Sequence, residues 1–143
     1  MLPDVISHNM ETVANLYKEV RPQADYRRSL DIIRNIKHFN SNIYSKSGIM
    51  LGLGETTEQV YKLFDDLCEV GCDILTIGQY LAPSSSHFPV QKYIEPYRFE
   101  KYEETARKKG FLFVASAPLI RSSYHAWKVV ELLSSSGNIV ENR

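Results

Sequence analysis

The stretch GIMLGLGE at residues 48–55 runs directly into TTEQ at residues 56–59, and this junction decides the fold. A near-continuous apolar run over residues 48–53 is typical of a strand that is buried on both faces of a parallel sheet. A threonine followed three residues later by a glutamine forms a capping box, which begins a helix that Gly71 should end. The junction therefore predicts a βα unit, the repeating element of parallel α/β folds.

The rest of the chain repeats this alternation of short strands and amphipathic helices. A long loop rich in Pro and Ser covers residues 79–95, and loops of this length are usually functional or mobile. Hydrophobic periodicity predicts the remaining elements, which are strands at residues 4–7, 73–78 and 111–115 and helices at residues 10–20, 26–39, 96–109 and 123–133. The predicted fold class is therefore α/β, with about four parallel strands and flanking helices.

Four parallel strands are too few to close an eight-stranded barrel, and an open sheet leaves unpaired backbone groups at its edges. The chain also begins almost inside a strand, as a truncated gene product or a split subunit would. Two interpretations follow from topology alone. The chain is part of a larger barrel, or it is a small self-contained α/β domain.

The composition is that of one ordinary globular domain, with 143 residues of which 43% are hydrophobic and 24% are charged. The 17 basic and 17 acidic side chains cancel, which argues against binding to nucleic acid or to an anionic membrane surface. No apolar run approaches the roughly 20 residues needed to cross a bilayer. The first residues lack the features of a signal or transit peptide, and two cysteines do not make a disulfide framework. These features predict a cytoplasmic protein.

The glycine-rich turn from Gly52 to Glu55 lies where a strand gives way to a helix. Backbone N–H groups at such a turn can face a ligand. A tight turn without any ligand explains the glycines equally well. The spacing matches neither a Rossmann fingerprint nor a phosphate-binding P-loop.

Two other groups of reactive side chains fail as catalytic or metal motifs. Ser123 and His125 are two residues apart, so on a helix they point to different sides and cannot form a nucleophile–base pair. Ser122 or Ser123 is explained more simply as a helix N-cap. Cys68 and Cys72 lack the third cysteine that a C-x-x-x-C-x-x-C cluster motif needs, so they are expected to be ordinary thiols.

Four segments follow one another along nearly the whole chain, namely HNMETV at residues 8–13, GIMLGLGE at 48–55, TIGQY at 76–80 and RSSYHA at 121–126. In this order they resemble the lipoyl synthases, which are radical S-adenosylmethionine (SAM) enzymes. The second segment looks like the motif G-x-I-x-G-x-x-E, with Met50 in place of the isoleucine. The resemblance implies the second half of a partial TIM-type radical SAM barrel at residues 1–117, followed by a C-terminal extension at residues 118–143 that carries RSSYHA.

The resemblance also implies cofactors. The complete enzymes use SAM and two 4Fe–4S clusters, of which one cleaves SAM and the auxiliary one donates sulfur. Ser123 would be a metal ligand, binding an iron of the auxiliary cluster, with Ser122 as the alternative. Arg121 would act beside Ser123 as a catalytic residue.

The cofactor-binding residues implied by the resemblance are Asn9, Glu11, Lys46, Met50, Gly52, Gly54, Glu55 and Gln79. For Glu55, a purely structural role in holding its turn fits equally well.

The activity implied by the resemblance is sulfur insertion at C6 and C8 of an octanoyl group. That group would be amide-linked to a lysine of a lipoyl carrier domain or of the glycine cleavage H protein. Both cysteine motifs that hold the clusters are missing from residues 1–143. We therefore expect this chain alone to be inactive, and to need an N-terminal half if the enzyme is split.

The alternative from another functional class is a small non-catalytic α/β module. Such a module would use the turn from Gly52 to Glu55 to bind a nucleotide-like ligand.

Overall fold

The computed structural model describes residues 2–120, which contain one four-stranded parallel sheet. Its strands are β1 (Val5–Ser7), β2 (Tyr44–Leu51), β3 (Ile74–Gln79) and β4 (Phe113–Ser116), and they lie in that spatial order. The predicted α/β class with four parallel strands is confirmed, and this arrangement is consistent with part of a TIM-type barrel.

The helices in this part of the chain connect the strands. A 3-10 turn at Ala14–Leu16 leads into α1 (Tyr17–Val20), and the longer helices are α2 (Tyr26–Phe39), α3 (Thr57–Glu69) and α4 (Pro96–Lys109). The three long helices all contribute to one hydrophobic core with the sheet, so they cover the same sheet face.

Alternation along the strands separates the two faces of the sheet. Successive strand side chains point to opposite sides, and Ile49, Leu51, Leu75 and Ile77 all face the helices within the main core. The opposite face carries a second, smaller cluster, which consists of Tyr44, Ile74, Val5 and Phe113. The helix-facing core is the larger of the two, and burying its apolar surface is the main favourable term in folding.

The helix ends follow the local sequence signals. Thr56 accepts a hydrogen bond from the Gln59 backbone N–H, and the Gln59 side chain accepts one from the Thr56 N–H, so the predicted capping box is confirmed. Helix α4 has Pro96 in its first turn, and Gly110 ends it with a φ of 121°.

The predicted helix over residues 10–20 is wrong, because only its last turn is α-helical. The segment before it runs beside β2 instead. The Glu11 N–H donates to the Gly48 carbonyl, and the Glu11 carbonyl accepts from the Met50 N–H. The Met10 N–H donates to the Ser47 hydroxyl. These bonds to β2 replace the helical bonds that the apolar spacing predicted.

Strand β2 begins four residues before the predicted start at residue 48, in a stretch with polar side chains. Those side chains are buried, and the Ser45 hydroxyl donates to the distant Gly71 carbonyl. Strand β4 also begins two residues later than predicted, and Gln79 belongs to β3 rather than to the long loop. The predicted helix at residues 123–133 lies outside the described residues, and the division after residue 117 stays a prediction.

No helix within residues 2–120 is both long enough and apolar enough to span a bilayer.

The main core should dominate stability. Phe64 on α3 is fully buried, whereas Phe39 at the end of α2 is 69% exposed. We expect Phe64→Ala to lower the free energy of unfolding by about 3–5 kcal/mol, because it leaves a cavity in the core. The matched change Phe39→Ala should stay within about 0.5 kcal/mol. Urea unfolding followed by circular dichroism measures both, and similar losses would contradict this core assignment.

Candidate functional site

A cavity of about 290 Å³ lies in the carboxyl-terminal half of β2 and β3, on the sheet face away from the helices. Its lining residues are Asn9, Glu11, Gly48, Ile49, Met50, Thr76, Gly78, Gln79 and Ile120. Its volume is near the lower end of the range for small-molecule sites, and open parallel sheets bind their ligands beyond the carboxyl ends of the strands.

Two glycines keep the floor of this cavity open. A Cβ atom on Gly48 would lie 2.8 Å from the Thr76 hydroxyl, and one on Gly78 would lie 2.9 Å from the Ile120 carbonyl oxygen. Neither position therefore accepts a side chain without a shift of its neighbours. The cavity exposes backbone between polar side chains, which is an arrangement that suits a polar ligand.

Asn9 and Glu11 reach the cavity because of the irregular segment beside β2. Asn9 is fixed by its side-chain oxygen, which accepts from the Gly48 N–H at 3.0 Å. Glu11 has a φ of 70°, which is an uncommon conformation for a non-glycine residue. Strained backbone of this kind clusters at functional sites.

The backbone beside Asn9 and Glu11 is held in place by hydrogen bonds from the side chains of Tyr17 and Arg21. The Tyr17 hydroxyl donates to the Met10 carbonyl at 2.5 Å. The Arg21 guanidinium donates to the Asn9 and Met10 carbonyls at 3.3 Å each. These bonds explain how a strained backbone at Glu11 is maintained.

Gln79 lines the cavity and also fastens the long loop. Its side-chain N–H groups donate to the Tyr80 and Lys92 carbonyls at 3.0 Å each, and its side-chain oxygen accepts from the Ile94 N–H at 2.8 Å. The end of β3 and the far end of the loop are therefore joined at the cavity rim.

Gly52, Gly54 and Glu55 form the neighbouring turn and do not line the cavity. The Glu55 carboxylate accepts from the Gly52 N–H at 2.9 Å and from the Leu53 N–H at 3.0 Å. Gly52 has a φ of 100°, and a Cβ there would lie 2.3 Å from the Lys92 carbonyl oxygen. The structural explanation for Glu55 thus has direct support, and the cofactor role of all three stays a prediction.

Of the remaining cofactor candidates, Met50 lines the cavity and Lys46 does not. Lys46 is 2% exposed on β2, and burial lowers the pKa of its ammonium group.

Thr76 also lines the cavity, but it was not among the site residues predicted from the sequence. The sequence showed only that Thr76 precedes Gly78 by one strand period and so shares its sheet face. The pairing of Thr76 with Gly48, which brings it to the cavity, is seen only in the structure.

Arg121, Ser122 and Ser123 lie outside the described residues, so their catalytic and metal-binding roles stay predictions. The backbone just before them passes the cavity. The Pro118 carbonyl accepts from the Gln79 N–H at 3.0 Å, and Ile120 is part of the cavity lining.

The two cysteines do not fit an iron–sulfur cluster. Within residues 2–120, no group of three or more His, Cys, Asp or Glu side chains forms a metal site. Cys68 and Cys72 pack with the helix-facing core, on the other side of the sheet from the cavity. Burial raises the pKa of both thiols, and the charge of Asp73 adds to the effect on Cys72. Cluster ligands are thiolates, which this environment disfavours.

Comparison of the amino-acid sequence with known proteins identifies the family of this chain. The chain is 59% identical over 126 residues to a lipoyl synthase of Bacteroides fragilis, which is 88% of this chain. It is 53% identical over 129 residues to that of Alkaliphilus metalliredigens, which is 90% of this chain. The chain belongs to the lipoyl synthase family. No general protein-family profile matches it.

The chain spans less than half the length of the lipoyl synthases that it matches, 43% in Bacteroides fragilis and 44% in Alkaliphilus metalliredigens. A partial match of this extent is consistent with the predicted C-terminal part of the enzyme.

The Glu55 carboxylate should be a structural element of the turn. We expect Glu55→Ala to lower the free energy of unfolding by about 1–3 kcal/mol, because two backbone N–H groups lose a charged acceptor. Glu58 is exposed in the first turn of α3, so Glu58→Ala should cost only about 0.3–1 kcal/mol. Equal losses in chemical denaturation would argue against this role.

Proposed function

We propose that this chain forms the SAM-binding C-terminal part of a lipoyl synthase. The whole enzyme would insert sulfur at C6 and C8 of an octanoyl group attached to a carrier protein. The observation that carries the proposal is the cavity itself. It gathers Asn9, Glu11, Met50 and Gln79 at one end of the sheet, in a chain that belongs to this family.

The cavity residues fit the parts of SAM by their chemistry. Apolar surface from Met50 suits the adenine ring, and the acceptor oxygen of Glu11 suits a hydroxyl or ammonium group. Gly48 and Gly78 leave backbone within reach of the ligand, where a larger residue would collide with Thr76 or Ile120. When bound, SAM supplies the oxidising group that activates an unreactive C–H bond. The residues of this chain bind and orient it and exclude water.

The cluster chemistry would depend on residues from elsewhere. The two cysteines of the chain face the wrong side of the sheet, so we derive no step through a cluster from them. Ser123, aided by Arg121, is our proposed ligand to one iron of the auxiliary cluster. A serine oxygen is a harder ligand than a thiolate and should leave that iron more exchangeable, which suits a cluster that gives up sulfur.

The alternative, a small module that binds a nucleotide at the turn from Gly52 to Glu55, receives less support. The two N–H groups at the start of that turn already donate to the Glu55 carboxylate. They are therefore engaged within the protein, and the neighbouring cavity is the better ligand site.

SAM binding tests the proposed cavity. We expect Glu11→Gln to weaken SAM binding by about 10–100-fold, because a hydrogen bond to a charged group is worth about 1.5–3 kcal/mol. The control Glu58→Gln changes an exposed carboxylate on α3 and should leave the dissociation constant within about twofold. Isothermal titration calorimetry should use the chain co-expressed with the part of the Bacteroides fragilis enzyme that it does not match. Equal affinities for both variants would place SAM elsewhere.

Reconstitution with iron and sulfide tests the dependence on another polypeptide. Under anaerobic conditions, the chain alone should bind no stoichiometric 4Fe–4S cluster, because it has only two cysteines and both pack on the helix side of the sheet, away from the cavity. Co-expression with the missing part should restore both cluster absorbance and lipoyl formation, measured by mass spectrometry of an octanoylated carrier domain. A full cluster on the chain alone would refute this dependence, and failure of co-expression would count against the function.

A further inference from the structure

A cationic and aromatic surface lies beside the cavity rim, where the long loop ends and α4 begins. We call it the tyrosine–cation surface, and it consists of Lys92, Tyr93, Tyr97, Arg98 and Lys101. Tyr93 is 69% exposed and Tyr97 is 53% exposed. Tyrosine is enriched where proteins bind one another.

The shape of this surface suits a macromolecule better than a small ligand. A groove of about 300 Å³ between α3 and α4 is lined by Thr57, Tyr61, Tyr97, Arg98, Lys101 and Tyr102. A second hollow of about 140 Å³ adjoins it and shares Tyr97 and Arg98. Two connected, open hollows separated by aromatic side chains can accept several side chains of a partner.

The charge of this surface departs from that of the whole chain. The chain has no net charge, yet the two hollows together contain Lys92, Arg98 and Lys101 against a single carboxylate, Glu95. Glu104 lies 4.0 Å from Lys101, and both side chains are more than 60% exposed, so that pair is weak. The surface therefore favours an acidic partner.

The backbone beneath these side chains is anchored. The Arg98 guanidinium donates to the Thr57 hydroxyl at 3.3 Å, and the next residue along α4, Phe99, is 1% exposed. Ile94 packs against the main core and donates its N–H to Gln79. A partner would meet a surface that is already ordered, which reduces the entropy cost of association.

The surface is joined directly to the cavity. Gln79 lines the cavity and donates to the Lys92 carbonyl, and the Lys92 N–H donates to the Gly52 carbonyl at 3.3 Å. A partner bound here would be held at the cavity rim. A substrate group carried on a flexible side chain of that partner could then enter the cavity.

We propose that the tyrosine–cation surface docks the acidic face of the carrier protein that bears the octanoyl-lysine. This inference rests on the proposed function, which requires a substrate tethered to a protein. Tyr93 and Tyr97 supply the apolar contact, and the three cations orient the carrier so that its modified lysine faces the cavity.

Charge reversal tests the docking surface. The double variant Lys92→Glu with Lys101→Glu changes two side chains that make no structural hydrogen bond within residues 2–120. We expect it to raise the dissociation constant for an octanoylated lipoyl domain at least about tenfold, as loss of close interfacial charge pairs does. The matched control, Lys18→Glu with Arg28→Glu, makes the same change in net charge on α1 and α2 and should stay within about twofold.

Fluorescence anisotropy with the full chain and a labelled octanoylated domain measures both variants, at low and high salt. Binding by the unaltered chain should weaken with salt, and thermal melts should show that all variants are folded. Tyr93→Ser provides an uncharged variant and should also weaken binding. Equal weakening by both double variants, salt-independent binding or no binding by the unaltered chain would overturn the proposal. Binding of the missing part of the enzyme to the tyrosine–cation surface would also overturn the docking proposal.

The docking proposal and the proposed function fail differently. Turnover by the co-expressed enzyme, with a carrier KM unaffected by the Lys92→Glu and Lys101→Glu double variant, would reject the docking surface alone. Lack of turnover and of SAM binding with an intact surface would reject the function.

Discussion

The parallel pairing of β2 with β3 is the constraint on which the rest of the structure depends. The register from Lys46 opposite Ile74 to Leu51 opposite Gln79 brings the carboxyl ends of both strands to one edge. Because side chains alternate along a strand, the same pairing turns one set of residues towards the helices and the other towards the cavity. A slip of one residue would exchange the two sets and place Thr76 in the apolar core.

The turn after β2, the end of β3 and the long loop act as one structural unit around this pairing. Glu55 fixes the turn, Gln79 fixes the loop, and both meet at the backbone of Gly52 and Lys92. Several residues that the sequence predicted as cofactor contacts therefore have a supporting role in this structure. They determine the shape of the cavity rim, and Gln79 also lines the cavity together with Asn9, Glu11, Met50 and Thr76.

The tyrosine–cation surface extends this arrangement outward. The loop that Gln79 holds continues into α4, so the tyrosine–cation surface and the cavity are supported by the same few hydrogen bonds. Loops commonly carry function on a rigid scaffold. Here the scaffold is the carboxyl edge of β3, and the loop joins the interior of the site to its exterior.

The sequence by itself determined the α/β class, the bounds of α2 and α4, and the capping box of α3, because these depend on local periodicity and local hydrogen bonds. The motif order also indicated the family and placed Asn9, Glu11, Met50 and Gln79 among the candidates. Only the tertiary structure decided that residues 10–13 run beside β2 instead of forming a helix, since backbone bonds to a distant strand replace those within the segment. The same reason separates Glu55 from the cavity and brings Thr76 into it. Strand register and long-range hydrogen bonds set which face a side chain occupies, and neither is encoded in the spacing of nearby residues.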